Sequence, residues 1–297
     1  MTTVARGAVP ASTPLRRLSS ALHRAPRARL AALLGAPLLW LVVAYLGSLA
    51  VMFATAFWSV DSFTGALVRV PTVDNLRTLL TTDVYRTVAL RSLGVSAAVT
   101  AVDAVIALPM AFYMAKVASP RAQRILVAAI LTPLWASYLV KAYAWRTMLA
   151  GDGVLDWALG GHGPGYGLTA TTMTLAYLWL PYMVLPLYAG LQRLPDSLLD
   201  ASADLGASAG RTFRSVVLPL LVPSLVAGSI FTFSLSLGDY IAVKIVGGKT
   251  QLFANIIYDN IGVANNLPFA AAAALFPVLV VVLYLALVRR TGALDNL

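Results

Sequence analysis

The chain has 297 residues, 59% of them hydrophobic and only 11% charged, with a mean hydropathy of +0.80. Soluble domains carry about 25% charged residues, so an ordinary soluble domain is excluded and a protein that crosses a membrane several times is indicated. The lack of cysteine excludes disulfides, thiolate metal sites and thiol nucleophiles, and the net charge of +10 in so apolar a chain points to topology and not to nucleic acid.

Residues 1–29 are rich in Arg, Ala, Pro and Ser without an apolar period, and read as a disordered basic cytoplasmic tail beside anionic lipid. Its His23 and the distant His162 are the only histidines, which leaves no metal site to nominate. Residues 30–58 carry no charge. The run is too long for the apolar core of a signal peptide, about 7–15 residues, and predicts a first transmembrane helix. An external loop follows over 59–87, then a five-helix core over 88–290 and a short cytoplasmic tail over 291–297. A helix needs about 20 apolar residues to cross a bilayer. The core runs that satisfy this are 88–115, 125–148, 168–191, 216–239 and 269–288. The fold class is therefore an all-α polytopic membrane protein with six transmembrane helices.

Placing the N-terminus inside puts 14 of the 22 basic residues in cytoplasmic segments, among them Lys116, Arg121, Arg124, Arg193, Arg211, Arg214, Arg289 and Arg290. The opposite loop 149–167 has none, although the first external loop holds Arg69, Arg77 and Arg86. The positive-inside rule then gives both termini as cytoplasmic.

Ionisable residues inside spans are costly, about 2.5–3.5 kcal/mol each on insertion scales. Asp103 falls near the middle of the second run and Lys141 in the outer half of the third. They are expected either as an ion pair that fixes helix packing or, for Asp103, as a cation attraction point on a translocation path. Trp135, Tyr138, Tyr143 and Trp145 cluster along the third run, and Asp239 with Tyr240 closes the fifth on the outer side. These read either as an interfacial aromatic belt or as an aromatic-lined path for a cationic solute. Lys141 and Lys244 argue against a cationic solute, because they would repel it.

Between the fourth and fifth runs lies a polar interruption, 192–215. Pro195 suits a helix start, Asp196 and Asp200 suit its N-terminal half, and Leu198, Leu199, Ala201, Ser202 and Leu205 form a face at helical spacing. Gly206 suits the left-handed position that ends the helix, Ser208 can start another, and Pro219 and Pro223 predict a kink. On composition alone this is either a connector or a handle for a soluble partner.

Gly247-Gly-Lys-Thr250 looks like the end of a phosphate loop, but the glycine such a loop needs earlier is Val243, and the segment falls outside the membrane on the external side. It reads as a solvated turn. Without a nucleotide site of its own, the chain needs an ATPase partner for primary active transport. No triad or metal cluster supports a membrane-embedded enzyme.

One resemblance covers residues from about 30 to the C-terminus. Asp200-Ala-Ser, Gly206 and Val216-Val-Leu-Pro219 are similar to the coupling-loop motif of ABC importer permeases: Glu-Ala-Ala, three residues, Gly, nine residues, Ile-x-Leu-Pro. Asp200, Ser202 and Val216 depart from it conservatively. Leu139-Val-Lys-Ala-Tyr-Ala-Trp145, Leu180-Pro-Tyr-Met-Val-Leu-Pro186, Leu237-Gly-Asp-Tyr-Ile241, Gly247-Gly248, and Asp74-Asn75-Leu76 with Tyr85 resemble spermidine/putrescine-type permeases. The resemblance implies the type I, MetI-like importer permease fold in a bacterial inner membrane. It implies transport by alternating access and no catalytic or metal residue in this chain. Leu198, Asp200, Ala201, Ser202, Asp204, Leu205, Gly206, Leu218 and Pro219 are then the ATPase-coupling loop. The implied partners are a cytoplasmic ABC ATPase dimer that binds the ATP and Mg, a second permease, an external solute-binding protein and membrane lipid, with no nucleic acid. The implied cargo is spermidine or putrescine, with aminoethylphosphonate, ferric iron and thiamine as alternatives within the same machine. An ion-coupled secondary transporter is the alternative of another class, though no clear internal repeat supports it.

Overall fold

The computed structural model describes residues 26–61 and 63–290. Most of the basic tail, residues 1–25 with His23, and the tail 291–297 lie outside the described residues. The chain divides after Ala54 into an N-terminal unit and a larger one. In the first, α1 (Pro26–Trp40) begins four residues before the apolar run, continues through a π turn (Leu41–Leu46) and passes into α2 (Gly47–Thr55). Pro26 at the first helical position loses nothing, since its missing N–H would have had no partner there.

The larger unit opens with a two-stranded antiparallel hairpin, β1 (Ser59–Val60) and β2 (Leu67–Val68), and the short helix α3 (Asp74–Thr81). The amide of Asn75 fastens α3 to the preceding chain, donating to the carbonyls of Ala56 at 3.0 Å and Trp58 at 2.8 Å. Then come α4 (Asp83–Phe112) with a terminal π turn (Tyr113–Val117), α5 (Pro120–Trp135), α6 (Tyr138–Leu149), α7 (Val154–Ala158) and α8 (Leu168–Arg193). The chain continues through α9 (Asp196–Asp204), α10 (Ala209–Thr212), a π turn (Phe213–Val217), α11 (Leu218–Gly238), α12 (Ile241–Val246), α13 (Phe253–Gly262) and α14 (Leu267–Arg290).

Among the described residues, five helices are long and apolar enough to cross a membrane, and six when the bent pair α5–α6 counts as one span. That pair corrects the expectation of one continuous span over 125–148. The chain bends by 96° between Trp135 and Tyr138. Pro133 has no N–H to give the ladder, and Ala136 and Ser137 take extended ψ values of 142° and 134°. Neither carries a charge, so the apolar run conceals the break.

The core is a three-helix packing of α4, α8 and α11. Ala107, Ala111 and Met114 of α4 and its π turn meet Met183, Leu187 and Leu191 of α8, with Val217 and Leu221 at the start of α11. Toward the other end, Val95 and Val99 meet Leu175 and Leu178, together with Ala242, Val243 and Leu252. So α4 and α8 run parallel and α11 runs against them. In lipid the apolar surroundings give helices no net hydrophobic drive to associate, so close van der Waals fit holds them. At Gly228 of α11 a Cβ would lie 2.6 Å from Met183 Sδ and 3.1 Å from its Cα, so glycine permits the close crossing. Two hydroxyls of α4 return their protons to carbonyls of their own helix: the buried Ser92 donates to Val88 O at 2.8 Å and the half-buried Thr100 to Ser96 O at 2.8 Å. Ser92 Oγ also accepts from Phe253 N at 2.7 Å, which ties α13 to α4.

This packing gathers Lys116, Arg193, Arg211 and Arg214 at one end of the bundle, where α4 and α8 finish and α11 begins. The positive-inside rule makes that end cytoplasmic.

Candidate functional site

At the basic end, α8 stops at Arg193, Pro195 occupies the extended position before α9 (φ −64°, ψ 133°), and Asp196 opens the helix with the acidic group its N-terminus favours. The helix ends in a Schellman motif. Ala207 N donates to Ser202 O at 3.1 Å, Gly206 N donates to Ala203 O at 2.8 Å, and Gly206 takes φ +77°. Asp200, Ala201, Asp204, Leu205 and Gly206 are all exposed. Leu198 is 41% exposed and Leu205, at the tip, 89%. The half-buried Ser202 lies 2.8 Å from the Thr212 hydroxyl, which ties α9 to α10. That contact gives the serine a local role an alanine could not fill. Ser208 precedes α10 without a side-chain cap bond. Leu218 is half-buried and Pro219 exposed at the start of α11, after a π turn that re-registers the ladder ahead of the proline.

The other end carries a cleft of about 260 Å³ lined by Tyr138, Trp179, Ser234, Asp239, Tyr240 and Ile241, among others. Asp239 ends α11. Its Oδ1 accepts from Ala242 N at 2.9 Å, capping α12, and its Oδ2 accepts the Tyr138 hydroxyl proton. A carboxylate has about four lone-pair sites, so this one keeps acceptor capacity. The Tyr138 ring lies 6.0 Å from Trp179, Trp179 5.8 Å from Tyr182, and Tyr182 6.3 Å from Phe231. Trp179 Nε1 and Ser234 Oγ are buried without a hydrogen-bond partner among the described residues. Tyr240 stacks on Tyr258 at 4.5 Å, and Lys244 lies over that same Tyr258 ring while pairing with Asp259. Lys244 is thus paired with Asp259, whose charge offsets that of the lysine.

The remaining path residues are scattered. Trp135 is 90% exposed at the end of α5. Tyr143 is exposed on α6, and Trp145 lies 5.5 Å from Tyr177. Asp103 is fully buried in α4, and neither of its oxygens has a hydrogen-bond partner among the described residues. The half-buried Lys141 forms no ion pair with it there, which removes the ion pair, one of the two alternatives for Asp103. The 96° bend before Tyr138 takes α6 off the line of α5, so Lys141 does not lie on the straight span along which that pair was expected.

Sequence reasoning missed Trp179, Ser234 and the grip of Lys116 described below. Trp179 stands just before Leu180-Pro181, and Ser234 is one of the hydroxyls, with Ser229, Thr232 and Ser236, that precede Asp239 in the apolar run; both signals were available. The Gly247–Thr250 segment is a turn after α12, closed by Thr250 N to Gly247 O at 2.8 Å.

Residues 85–291 match the family described as "Binding-protein-dependent transport system inner membrane component", and the chain belongs to that family. It is a multi-pass inner-membrane permease of the ABC importer class, a transport subunit and not an enzyme. In particular, it is 41% identical to the inner membrane ABC transporter permease protein YdcU of Escherichia coli (strain K12), over 97% of each chain. It is 30% identical to the spermidine/putrescine transport system permease protein PotB of Haemophilus influenzae, over 76% of this chain and 81% of that one. The fold matches a bacterial ABC transporter involved in import of the acidic polysaccharide alginate, with TM-score 0.65 and 15% identity over 92% of this chain and 99% of that one. It also matches the alginate transporter in complex with alginate pentasaccharide-bound periplasmic protein, with TM-score 0.68 and 14% identity over 93% and 97%.

Proposed function

We propose that this permease imports a small cationic solute of the polyamine class, spermidine or putrescine. The observation that carries the reading is the outer cleft, where Asp239 faces a wall of Tyr138, Trp179 and Tyr240. An ammonium group gains about 0.5–2 kcal/mol over an aromatic face, more as water is excluded, and a carboxylate adds charge attraction. The unpartnered Ser234 hydroxyl and the remaining lone pairs of Asp239 offer acceptors to its N–H groups. The commitment of Lys244 to Asp259 removes one cation that would oppose it. The 30% identity to a spermidine/putrescine permease supports the same class.

The machine around the chain is part of this reading. A cytoplasmic ABC ATPase dimer, holding ATP and Mg, seats the exposed tip of α9 with Leu205 and Gly206. A second permease completes the pathway, and an external solute-binding protein delivers cargo at the end bearing Asp239. ATP binding closes the ATPase pair, the loop moves, and the helices reorient to release the solute inward. This chain makes and breaks no bonds.

The test is uptake of labelled putrescine and spermidine by cells that depend on the complete transporter. Asp239→Asn removes the charge and keeps the shape. The expected result is saturable amine uptake that falls at least ten-fold in the variant. Amine uptake equal in variant and parent, or none in the parent, would overturn the cargo assignment.

A further inference from the structure

Lys116 lies in the π turn that ends α4, with its side chain only 10% exposed. Its ammonium donates to the carbonyl of Leu194 at 2.6 Å and to Asp196 Oδ1 at 2.6 Å. These two acceptors flank Pro195, the corner at which α8 turns into α9. The Leu194 carbonyl lies just past the end of α8, where helix carbonyls have no intrahelical partner, and a cation is favoured there by the helix dipole. The Asp196 side chain is 79% exposed, and exposed ion pairs add little stability. What the arrangement supplies is direction: one buried ammonium fastens the corner of the coupling loop to a helix some 80 residues earlier in the chain.

We propose that Lys116 is the positioning residue that carries displacement of α9 into α4, so that the three-helix core moves as a unit when the ATPase closes. The proposal rests on the docking of α9 by an ATPase set out above. Without Lys116, α9 is held by its covalent continuity with α8, by Leu199 packed against the core and by the Ser202–Thr212 contact with α10, none of which is a polar tie from the corner at Pro195 to the end of α4. With it, the corner cannot tilt without dragging the end of α4. The far half of α4 shares, through Val95 and Val99, one apolar cluster with Leu175 and Leu178 of α8 and with Ala242 and Val243 of α12, the helix that Asp239 caps. A path of packed contacts therefore joins the loop to the outer cleft.

The absence of native cysteines allows a test that needs no knowledge of the cargo. Spin labels are placed on Tyr113→Cys and Leu287→Cys, exposed positions on the last turns of α4 and α14. The label-to-label distance is measured in the complete transporter in lipid nanodiscs, with and without ATP and vanadate. Retention of the ATPase on the tagged permease is measured in parallel. The expected result is a nucleotide-driven shift in the parent that Lys116→Arg largely keeps. Lys116→Met and Asp196→Ala should lose at least half of it while the ATPase stays bound. Asp196→Ala alters a surface side chain and so guards against a folding defect in the buried variant. An undiminished shift in both variants overturns the proposal. Failure of the parent to retain the ATPase, or to shift at all, overturns the docking reading instead, and the clamp falls with it.

Discussion

At the residue scale, the two acidic side chains of the spans part company. Asp239 has a hydroxyl and a backbone amide as donors and opens onto a cleft, whereas Asp103 is enclosed with neither oxygen partnered among the described residues. A carboxylate at a helix centre costs about 2.5–3.5 kcal/mol on insertion scales, and nothing in the geometry around Asp103 offsets this. Asp103→Asn should therefore raise the thermal midpoint of the purified permease by about 2 °C or more, followed by the loss of monodisperse protein in detergent. A lower midpoint would mean that the carboxylate makes a contact the amide cannot replace. The sequence showed both aspartates as anomalies, because charge is rare in such runs. It did not show which had partners, because hydrogen-bond satisfaction depends on helix rotation and on residues far apart in the chain, such as Tyr138 and Asp239.

At the element scale, the loop between α8 and α11 was the most legible part of the chain. Pro195, Asp196 and Gly206 are local punctuation, and local chemistry sets their backbone: Pro195 in the extended region, Asp196 at the first turn, Gly206 at φ +77°. A β-branched residue at a left-handed position costs roughly 1–2 kcal/mol and would re-aim the exposed tip at Leu205. Gly206→Val should leave the permease inserted in the membrane at normal amounts. It should cut solute uptake at least ten-fold, with less ATPase recovered on the tagged chain. Normal uptake by this variant would remove the loop from the coupling role. The third span was illegible for the opposite reason. Its 96° break lies in Ala136–Ser137, two uncharged residues, so hydropathy runs through it unbroken. The local signs were Pro133 and Ser137, which stands in the N-cap position of α6, but prolines occur inside α4, α8, α11 and α14 without a comparable bend.

At the scale of the whole molecule, the segregation of charge and the packing of α4, α8 and α11 tell one story. The basic residues collect where α9 projects, and the aromatic-acidic cleft opens at the other end. The five long apolar helices were accessible from apolar length, and the expected inside face rests on Lys and Arg counts. The parallel course of α4 and α8 was not, since it is decided by which apolar faces fit. The central claim is that the exposed tip of α9 seats in a cytoplasmic ABC ATPase. The most direct test uses the cysteine-free background: Leu205→Cys, at the 89% exposed tip, carrying a short photoactivatable cross-linker in the complete transporter. The account predicts one dominant adduct with the ATPase subunit, its yield changed by ATP and vanadate. An adduct with the second permease or the binding protein, or no adduct while uptake proceeds, would contradict it.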